Sequence, residues 1–97
     1  MTTPTTQQLQ TMTRTELLLY VESGVAAGEL TLGVALKILR KYVAGLDQVS
    51  FAELCGISRR TLAALEADEG NPTLHTVNQA FKLFGLTLGL TRLYPRR

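Results

Sequence analysis

The 97-residue chain has little that would staple it covalently or anchor it in a membrane. Its one cysteine, Cys55, has no partner for an intramolecular disulfide and no companion at the spacing of zinc ligands. Apolar runs such as residues 17–19 are far shorter than the roughly 20 residues that cross a bilayer, and the N-terminus lacks a charged-then-apolar signal pattern. The sequence therefore predicts a cytoplasmic protein with no membrane-spanning segment.

Motifs of catalysis are missing as well. There is no glycine-rich phosphate loop, no nucleophile elbow, and no histidine–carboxylate pair near a candidate nucleophile. The single histidine, His75, has no second histidine or cysteine at coordinating distance in the sequence. We therefore expect no enzymatic activity, no cofactor and no metal site.

The composition is that of one folded domain, with 45% apolar against 19% charged residues. The net charge of +2 is unevenly distributed along it. Residues 37–60 carry five basic and two acidic side chains, and residues 92–97 carry three arginines and no acid. A central basic block and a basic tail favour a polyanionic partner, although a solvated helix face would explain the same charges.

Hydrophobic periodicity predicts an all-α fold with five helices. The first begins at Thr13, which has capping-box spacing to Glu16, and it weakens at Gly24 and Gly28 because glycine disfavours a helix interior. The residues before it, 1–12, have no apolar period and are expected to form a flexible leader. The five predicted helices span about residues 13–28, 31–44, 48–55, 58–67 and 73–84.

The apolar period changes after the last helix. Leu86, Leu88 and Leu90 alternate with polar or small residues, which is the two-residue repeat of a β-strand over residues 86–93. A lone strand in a helical chain has an unpaired edge. Its simplest partner is the same strand of a second copy, which predicts a two-fold homodimer.

The third and fourth predicted helices are joined by the turn Gly56-Ile57-Ser58. Glycine permits a tight turn, isoleucine can enter the core, and serine can cap the next helix. Arg59 and Arg60 then stand at the N-terminus of that helix, where the dipole disfavours cations unless an anion lies nearby. Because a guanidinium can clamp a phosphate or bond guanine in the major groove, this arrangement indicates DNA binding.

Several short motifs occur around this turn in a specific order. They are Leu32-Gly33, Leu39-Arg40-Lys41, Gly45 to Gln48, Phe51 to Leu62, Leu65-Glu66 and Asn71 to Leu74. Together they make roughly residues 30–86 resemble the lambda-repressor-like helix-turn-helix domain of the xenobiotic-response-element class. The strand that follows is similar to the one through which HipB-type antitoxins dimerise.

This resemblance implies a set of DNA-contacting positions. Gln48 would contact the DNA backbone and Asn71 would approach a phosphate from the loop. The family's base- and phosphate-contacting positions are occupied by Ser58, Arg59, Arg60 and Thr61. The chain is thus expected to divide into a leader (1–12), an accessory helix (13–29), the helix-turn-helix domain (30–85) and a strand with a basic tail (86–97).

The sequence also departs from the family pattern. Ala63 and Ala64 stand where relatives often carry polar or basic reading residues, and Asp68-Glu69 occupies a loop that is frequently basic. Both changes reduce the expected attraction to phosphate, so we expect modest affinity or readout confined to the two arginines. The stretch between Lys41 and Gly45 is one residue longer than usual, and the accessory helix lies outside the family core.

Other notable side chains favour structural roles. Glu66 is interpreted as a partner in an internal salt bridge or a helix cap rather than as a nucleic-acid contact. Cys55 fits a small apolar slot before the turn. Phe81 and Phe84 have the spacing of a helical core face and not of a base-stacking platform.

Two functional hypotheses follow. The first is a dimeric repressor that occupies a pseudo-palindromic DNA operator, regulates its own operon and acts as the antitoxin of a toxin–antitoxin pair. The second is a protein-interaction module, in which Leu17, Leu18, Val21 and Val25 of the first predicted helix pack on a partner such as a toxin, and DNA binding is secondary or absent. The paired arginines favour the first hypothesis.

Overall fold

The computed structural model describes residues 4–90, which form helices and connecting loops and contain no β-strand. This confirms the all-α prediction for that part of the chain. No helix among these residues has the length and apolar character needed to cross a bilayer. The α-helices are α1 (Thr6–Thr11), α2 (Arg14–Ala26), α3 (Leu32–Ile38), α4 (Gln48–Cys55), α5 (Arg59–Glu66) and α6 (Leu74–Phe81). A π-helical turn, Leu39–Ala44, continues α3, and a 3-10 turn, Lys82–Phe84, continues α6.

Helix α1 lies in the segment for which the sequence predicts no helix. A capping box begins it, because the Gln8 amide donates to the Thr5 hydroxyl at 3.1 Å and the Thr5 amide donates to the Gln8 side chain at 2.8 Å. Leu9 is its one buried residue. A single apolar side chain in six residues produces no periodicity, so hydrophobic periodicity cannot predict this helix.

Helix α2 begins where the sequence places it. The Glu16 amide donates to the Thr13 hydroxyl at 3.1 Å, and the Thr13 amide donates to the Glu16 carboxylate at 2.8 Å. Leu17 and Val21 are buried and bring α2 against α3 and the π-helical turn. The accessory helix is therefore part of the same core as the helices that follow it.

One hydrophobic core joins all six helices. Its completely buried large side chains come from four α-helices and the π-helical turn. The rings of Phe51 and Phe84 stack with their centroids 5.8 Å apart. Phe81 and Phe84 are both buried, as predicted. The largest fully buried residues are Leu17, Leu36, Leu39, Phe51 and Leu62.

The stretch between Lys41 and Gly45, which the sequence predicts to be one residue longer than usual, coincides with the π-helical turn. A π-helical turn holds one residue more than an α-helical turn, so an insertion can be absorbed locally without rotating the rest of the helix. Leu39 and Arg40 consequently both remain buried. Gly45 ends the turn in the left-handed conformation, with φ at 66°, and the Leu46 amide donates to the Arg40 carbonyl at 3.2 Å.

Helix α3 approaches the end of α5 closely at Gly33. A methyl group added there would lie 2.5 Å from the Leu65 carbonyl oxygen and 2.6 Å from Oδ1 of Asp68. Both distances are far below van der Waals contact, and the carbonyl belongs to backbone that cannot swing away. Glycine at this position therefore sets the distance between the two helices.

We expect Gly33→Ala to lower the free energy of unfolding by about 1–3 kcal/mol, the usual cost of overpacking, even though alanine favours a helix by about 1 kcal/mol. In a domain of this size, each 1 kcal/mol corresponds to about 4–8 °C in melting temperature. Thermal unfolding followed by circular dichroism measures the change. Gly89→Ala is the matched control, because a methyl group there meets no atom of the described residues within 4 Å. Equal melting temperatures for the two variants would contradict the steric explanation.

Residues 86–90 do not form the predicted strand, because no neighbouring strand is present among residues 4–90 to pair with them. The side chains of these residues nevertheless alternate between buried and exposed positions. Leu86 and Leu88 are half-buried against the core of their own chain, while Thr87 and Gly89 are exposed. Leu90 is fully exposed. The rest of the predicted strand, residues 91–93, lies outside the described residues.

Candidate nucleic-acid interface

Helices α4 and α5 form a helix-turn-helix. Gly56 ends α4 in the left-handed conformation, with φ at 74°, and the Ile57 amide closes the turn on the Ala52 carbonyl at 3.1 Å. Ile57 is half-buried and packs against the core, as predicted. The side-chain amide of Gln79 donates to the Cys55 carbonyl at 3.3 Å, which ties α6 to the turn.

Ser58 caps α5 in the predicted way. Its hydroxyl accepts a hydrogen bond from the Thr61 amide at 3.0 Å and donates to the Thr61 hydroxyl at 2.8 Å. These two bonds fix both side chains at the first turn of the helix, so the hydroxyls that the resemblance places near DNA are held in a defined position before any ligand arrives.

Arg59 and Arg60 are the first two residues of α5, and both are exposed. Within residues 4–90 neither guanidinium forms an ion pair. The N-terminus of a helix carries partial positive charge, so two cations there are unfavourable in the free protein. An external anion removes this repulsion and can also accept hydrogen bonds from the guanidinium groups. The end of α5 therefore has the chemistry of an anion-binding surface.

The C-terminal end of α5 is locked to the rest of the fold through Glu66. Its carboxylate accepts hydrogen bonds from Nε of Arg40 at 2.6 Å and from Nη2 of Arg40 at 3.0 Å. Both side chains are buried, and Nη1 of Arg40 donates to the Leu46 carbonyl at 2.8 Å. The prediction of an internal salt bridge for Glu66 is confirmed, and the pair fixes α5 to the π-helical turn that continues α3.

Gln48, the first residue of α4, also reaches this pair. One of its side-chain N–H groups donates to Oε1 of Glu66 at 3.0 Å, and the residue is half-buried. Among residues 4–90, the second N–H and the carbonyl oxygen of that amide have no hydrogen-bond partner. Gln48 is thus oriented by the same carboxylate that holds α5.

Asp47 caps α4, with the Ser50 amide donating to Oδ1 at 2.8 Å. This backbone hydrogen bond, with the Ser50 hydroxyl and the nearby charge of Arg40, lowers the pKa of Asp47 from its usual value. A depressed pKa in the folded state means that the carboxylate stabilises the fold above the pKa of the unfolded chain, and that this contribution is lost as the pH falls through the folded-state pKa.

The α5–α6 loop (residues 67–73) carries Asn71, which is exposed. Its acidic residues differ in their surroundings. Asp68 binds the start of α3, accepting the Thr31 hydroxyl at 2.6 Å and the Gly33 amide at 2.9 Å. The sequence indicates only a negative charge close to DNA at Asp68 and does not reveal these contacts. The φ of 57° at this residue is a property of the fold that no sequence motif displays.

Cys55, at the end of α4, is buried, as the packing interpretation predicts. Burial raises the pKa of its thiol, and a raised pKa keeps the thiolate scarce at neutral pH. Within the described residues, no three histidine, cysteine, aspartate or glutamate side chains form a group that could hold a metal ion.

Comparison with known protein families gives one match. Residues 36–90, more than half of the chain, match the family described as helix-turn-helix. The match contains the turn between α4 and α5, all of α6 and the whole hydrogen-bond network around Glu66. No curated protein and no solved structure shows significant similarity to the chain.

Proposed function

The chain belongs to the helix-turn-helix family of DNA-binding transcription regulators, and we propose that it acts as a sequence-specific repressor. The observation that carries this proposal is the pair of exposed arginines at the N-terminus of α5, whose charge no acidic side chain of residues 4–90 neutralises. A domain with one such surface represses most simply by covering a promoter and excluding polymerase.

In this proposal α5 enters the major groove with its N-terminus first. Arg59 and Arg60 bind guanine edges or phosphates, and the Ser58–Thr61 cap presents its hydroxyls beside them. Gln48 and Asn71 contact the DNA backbone on either side. Since Ala63 and Ala64 offer no hydrogen-bonding groups to the bases, the two arginines carry most of the direct readout.

We propose a homodimer in which the segment containing Leu86, Leu88 and Leu90 lies at the interface. The Leu86 amide donates to the Phe81 carbonyl at 3.3 Å. The Leu88 amide donates to Oδ1 of Asn78 at 2.8 Å. Both amides therefore point toward their own chain. In an extended segment the intervening amides point the opposite way. That outer edge and exposed Leu90 can pair with a second copy, which would place two recognition helices about 34 Å apart on a palindromic operator.

The repressor would control its own operon and serve as the antitoxin of a toxin–antitoxin pair. This part of the proposal rests on the resemblance of the C-terminal sequence to HipB-type antitoxins. Co-purification of the protein with the product of a neighbouring gene, followed by growth rescue when the two are expressed together, tests it.

Binding to double-stranded DNA from the region upstream of the chain's own gene should weaken steeply with salt. Each phosphate that a basic side chain neutralises contributes about −0.9 to the slope of log affinity against log salt concentration. Fluorescence anisotropy at several salt concentrations measures this slope, and a scrambled duplex of equal length is the control. Equal affinities for both duplexes, or a slope near zero, would contradict sequence-specific binding.

The protein-interaction hypothesis has one observation in its favour, because Leu19 on α2 is 60% exposed. The surface is smaller than the sequence suggests, since Leu17 and Val21 are buried in the chain's own core and only Leu18 and Val25 are half-buried. A partner that is lost with Leu19→Ser and retained with Arg59→Ala would favour this hypothesis over DNA binding.

A further inference from the structure

The α5–α6 loop leaves the recognition helix in a conformation that is usually reserved for glycine. The Asp68 amide donates to the Leu65 carbonyl at 3.1 Å and the Glu69 amide donates to the Ala64 carbonyl at 2.9 Å. This pair of bonds is a Schellman motif, whose left-handed residue is most often glycine. Here that residue is Asp68, with φ at 57°, so its side chain must compensate for a backbone conformation that an aspartate adopts at some cost.

The compensation is a double contact with the start of α3. Oδ2 of Asp68 accepts the hydroxyl of Thr31 at 2.6 Å, and Oδ1 accepts the amide of Gly33 at 2.9 Å. Thr31 in turn accepts the Val34 amide at 3.1 Å. The negative charge of Asp68 therefore lies against the positive end of α3, where a carboxylate is favourable.

The room for this contact comes from Gly33, whose missing methyl group would lie 2.6 Å from Oδ1 of Asp68. The next acidic residue, Glu69, differs completely. Within residues 4–90 its exposed side chain has neither a hydrogen bond nor an ion pair. Two adjacent carboxylates thus have the same formal charge but different surroundings, which makes them a matched pair.

The rest of the loop is exposed. Pro72 borders an apolar cavity together with Gly70, Leu36 and Phe81, but it is not buried. Gly70 and Asn71 are exposed as well. The contact of Asp68 with α3 therefore holds the start of the loop, a short distance along the chain before the exposed Gly70-Asn71 tip.

We infer that Asp68 is a positioning residue for DNA binding: its carboxylate, held on the N-terminus of α3, fixes the loop so that the Gly70-Asn71 tip meets a phosphate of the DNA backbone. This inference rests on the proposed function. The contact with the positive end of α3 offsets the charge of Asp68. Asp68 can therefore order the loop while repelling the DNA phosphates less than a free carboxylate would.

Two opposing effects make the inference testable. If Asp68 acted only as a negative charge near DNA, every substitution that removes the charge would strengthen binding. If it positions the loop, Asp68→Gly should weaken binding, since glycine fits the backbone but cannot bond α3. Asp68→Asn should not weaken it, because the amide tolerates the left-handed conformation and keeps an acceptor for the Gly33 amide.

The experiment measures anisotropy with the duplex from upstream of the chain's own gene. We expect Asp68→Gly to bind about three- to tenfold more weakly, the range of one lost hydrogen bond. The salt slope should stay nearly the same, because Gly70 and Asn71 carry no charge that neutralises a phosphate. Asp68→Asn and the matched control Glu69→Gln should bind at least as tightly as the parent. Circular dichroism of each variant shows whether it is folded.

A double-mutant cycle with Asn71→Ala separates positioning from a general loss of structure. In the parent, Asn71→Ala should weaken binding, whereas in the Asp68→Gly background it should change little, because the contact is already lost. If Asp68→Gly does not fold, Thr31→Val removes one of the two bonds to Asp68 without touching the loop and should give a smaller loss in the same direction. Because it also removes the cap on the Val34 amide, circular dichroism must show that this variant keeps its helices.

The inference is overturned if Asp68→Gly binds as tightly as Asp68→Asn, or if the two substitutions in the cycle are additive. Its failure is distinct from failure of the proposed function. If only the inference fails, the parent protein still binds DNA and Arg59→Ala still weakens that binding. If the proposed function fails, the parent protein shows no specific DNA binding, and both proposals are wrong.

Discussion

Arg40→Met should lower the free energy of unfolding by about 3–5 kcal/mol, the usual cost of leaving one member of a buried ion pair without its partner. The side chains of Arg40 and Glu66 are only 9% and 4% exposed, so water cannot replace the lost partner. Since a domain of this size has a total stability of about 5–15 kcal/mol, the variant should be close to unfolding at room temperature. Urea denaturation followed by circular dichroism measures the change.

The Arg40–Glu66 ion pair contributes much less to the free energy of unfolding than this single substitution suggests. Burial removes both charges from water, and their attraction does little more than offset that cost. The double variant Arg40→Met/Glu66→Leu, which removes both charges, should therefore recover most of the stability lost by either single variant. Gln48 loses one hydrogen bond in the double variant, but it is half-buried and can bond water instead.

The matched control is Arg59→Met, the same substitution at an exposed arginine that has no ion pair within the described residues. It should change the stability by no more than about 0.5 kcal/mol, as surface substitutions usually do. A double variant that is as unstable as the sum of its two single variants would show that Arg40 and Glu66 do not act as a pair.

The helices could be predicted from the sequence wherever apolar residues repeat and a capping residue precedes them. Thr13 and Ser58 cap helices at the predicted positions, and Asp47 and Thr73 cap α4 and α6 in the same way. Each cap is local, because the side chain bonds an amide three residues later, and the printed sequence shows both partners. Helix α1 has a cap of the same kind at Thr5, but only one apolar residue accompanies it.

The alternating leucines after α6 show how a correct pattern can support two structures. A two-residue repeat indicates an extended segment with one apolar face, and it does not say what that face packs against. In the single chain Leu86 and Leu88 pack against their own core, so the apolar face is partly covered without a sheet. Strand pairing needs a neighbour, and that neighbour belongs to the proposed dimer.

The candidate site divides in the same way between local and distant contacts. Arg59 and Arg60 could be predicted from their place after a capping serine, since helix ends and charges are local features. The bonds of Asp68 to Thr31 and Gly33 join residues 37 and 35 positions apart. No spacing rule connects them, because their proximity follows from the packing of α3 against the end of α5.

Arg59→Ala and Arg60→Ala should each weaken binding to the upstream duplex by about 1–3 kcal/mol, or roughly 5- to 150-fold. The loss has two possible sources that the measurement separates. An arginine that bonds a guanine edge contributes to sequence preference. Its loss therefore reduces the ratio of the affinity for the upstream duplex to the affinity for the scrambled duplex. An arginine that clamps a phosphate contributes equally to both duplexes, and its loss makes the salt slope shallower by about 1.

Arg14→Ala is the control, because it removes the same charge from the start of α2, outside the helix-turn-helix. Stability separates these substitutions from the Arg40 variants. Removing a cation from the N-terminus of α5 relieves repulsion by the helix dipole, so Arg59→Ala and Arg60→Ala should unfold no earlier than the parent. Variants that keep full stability and lose binding would assign the two arginines to DNA, whereas unchanged binding in both would remove α5 from the interface.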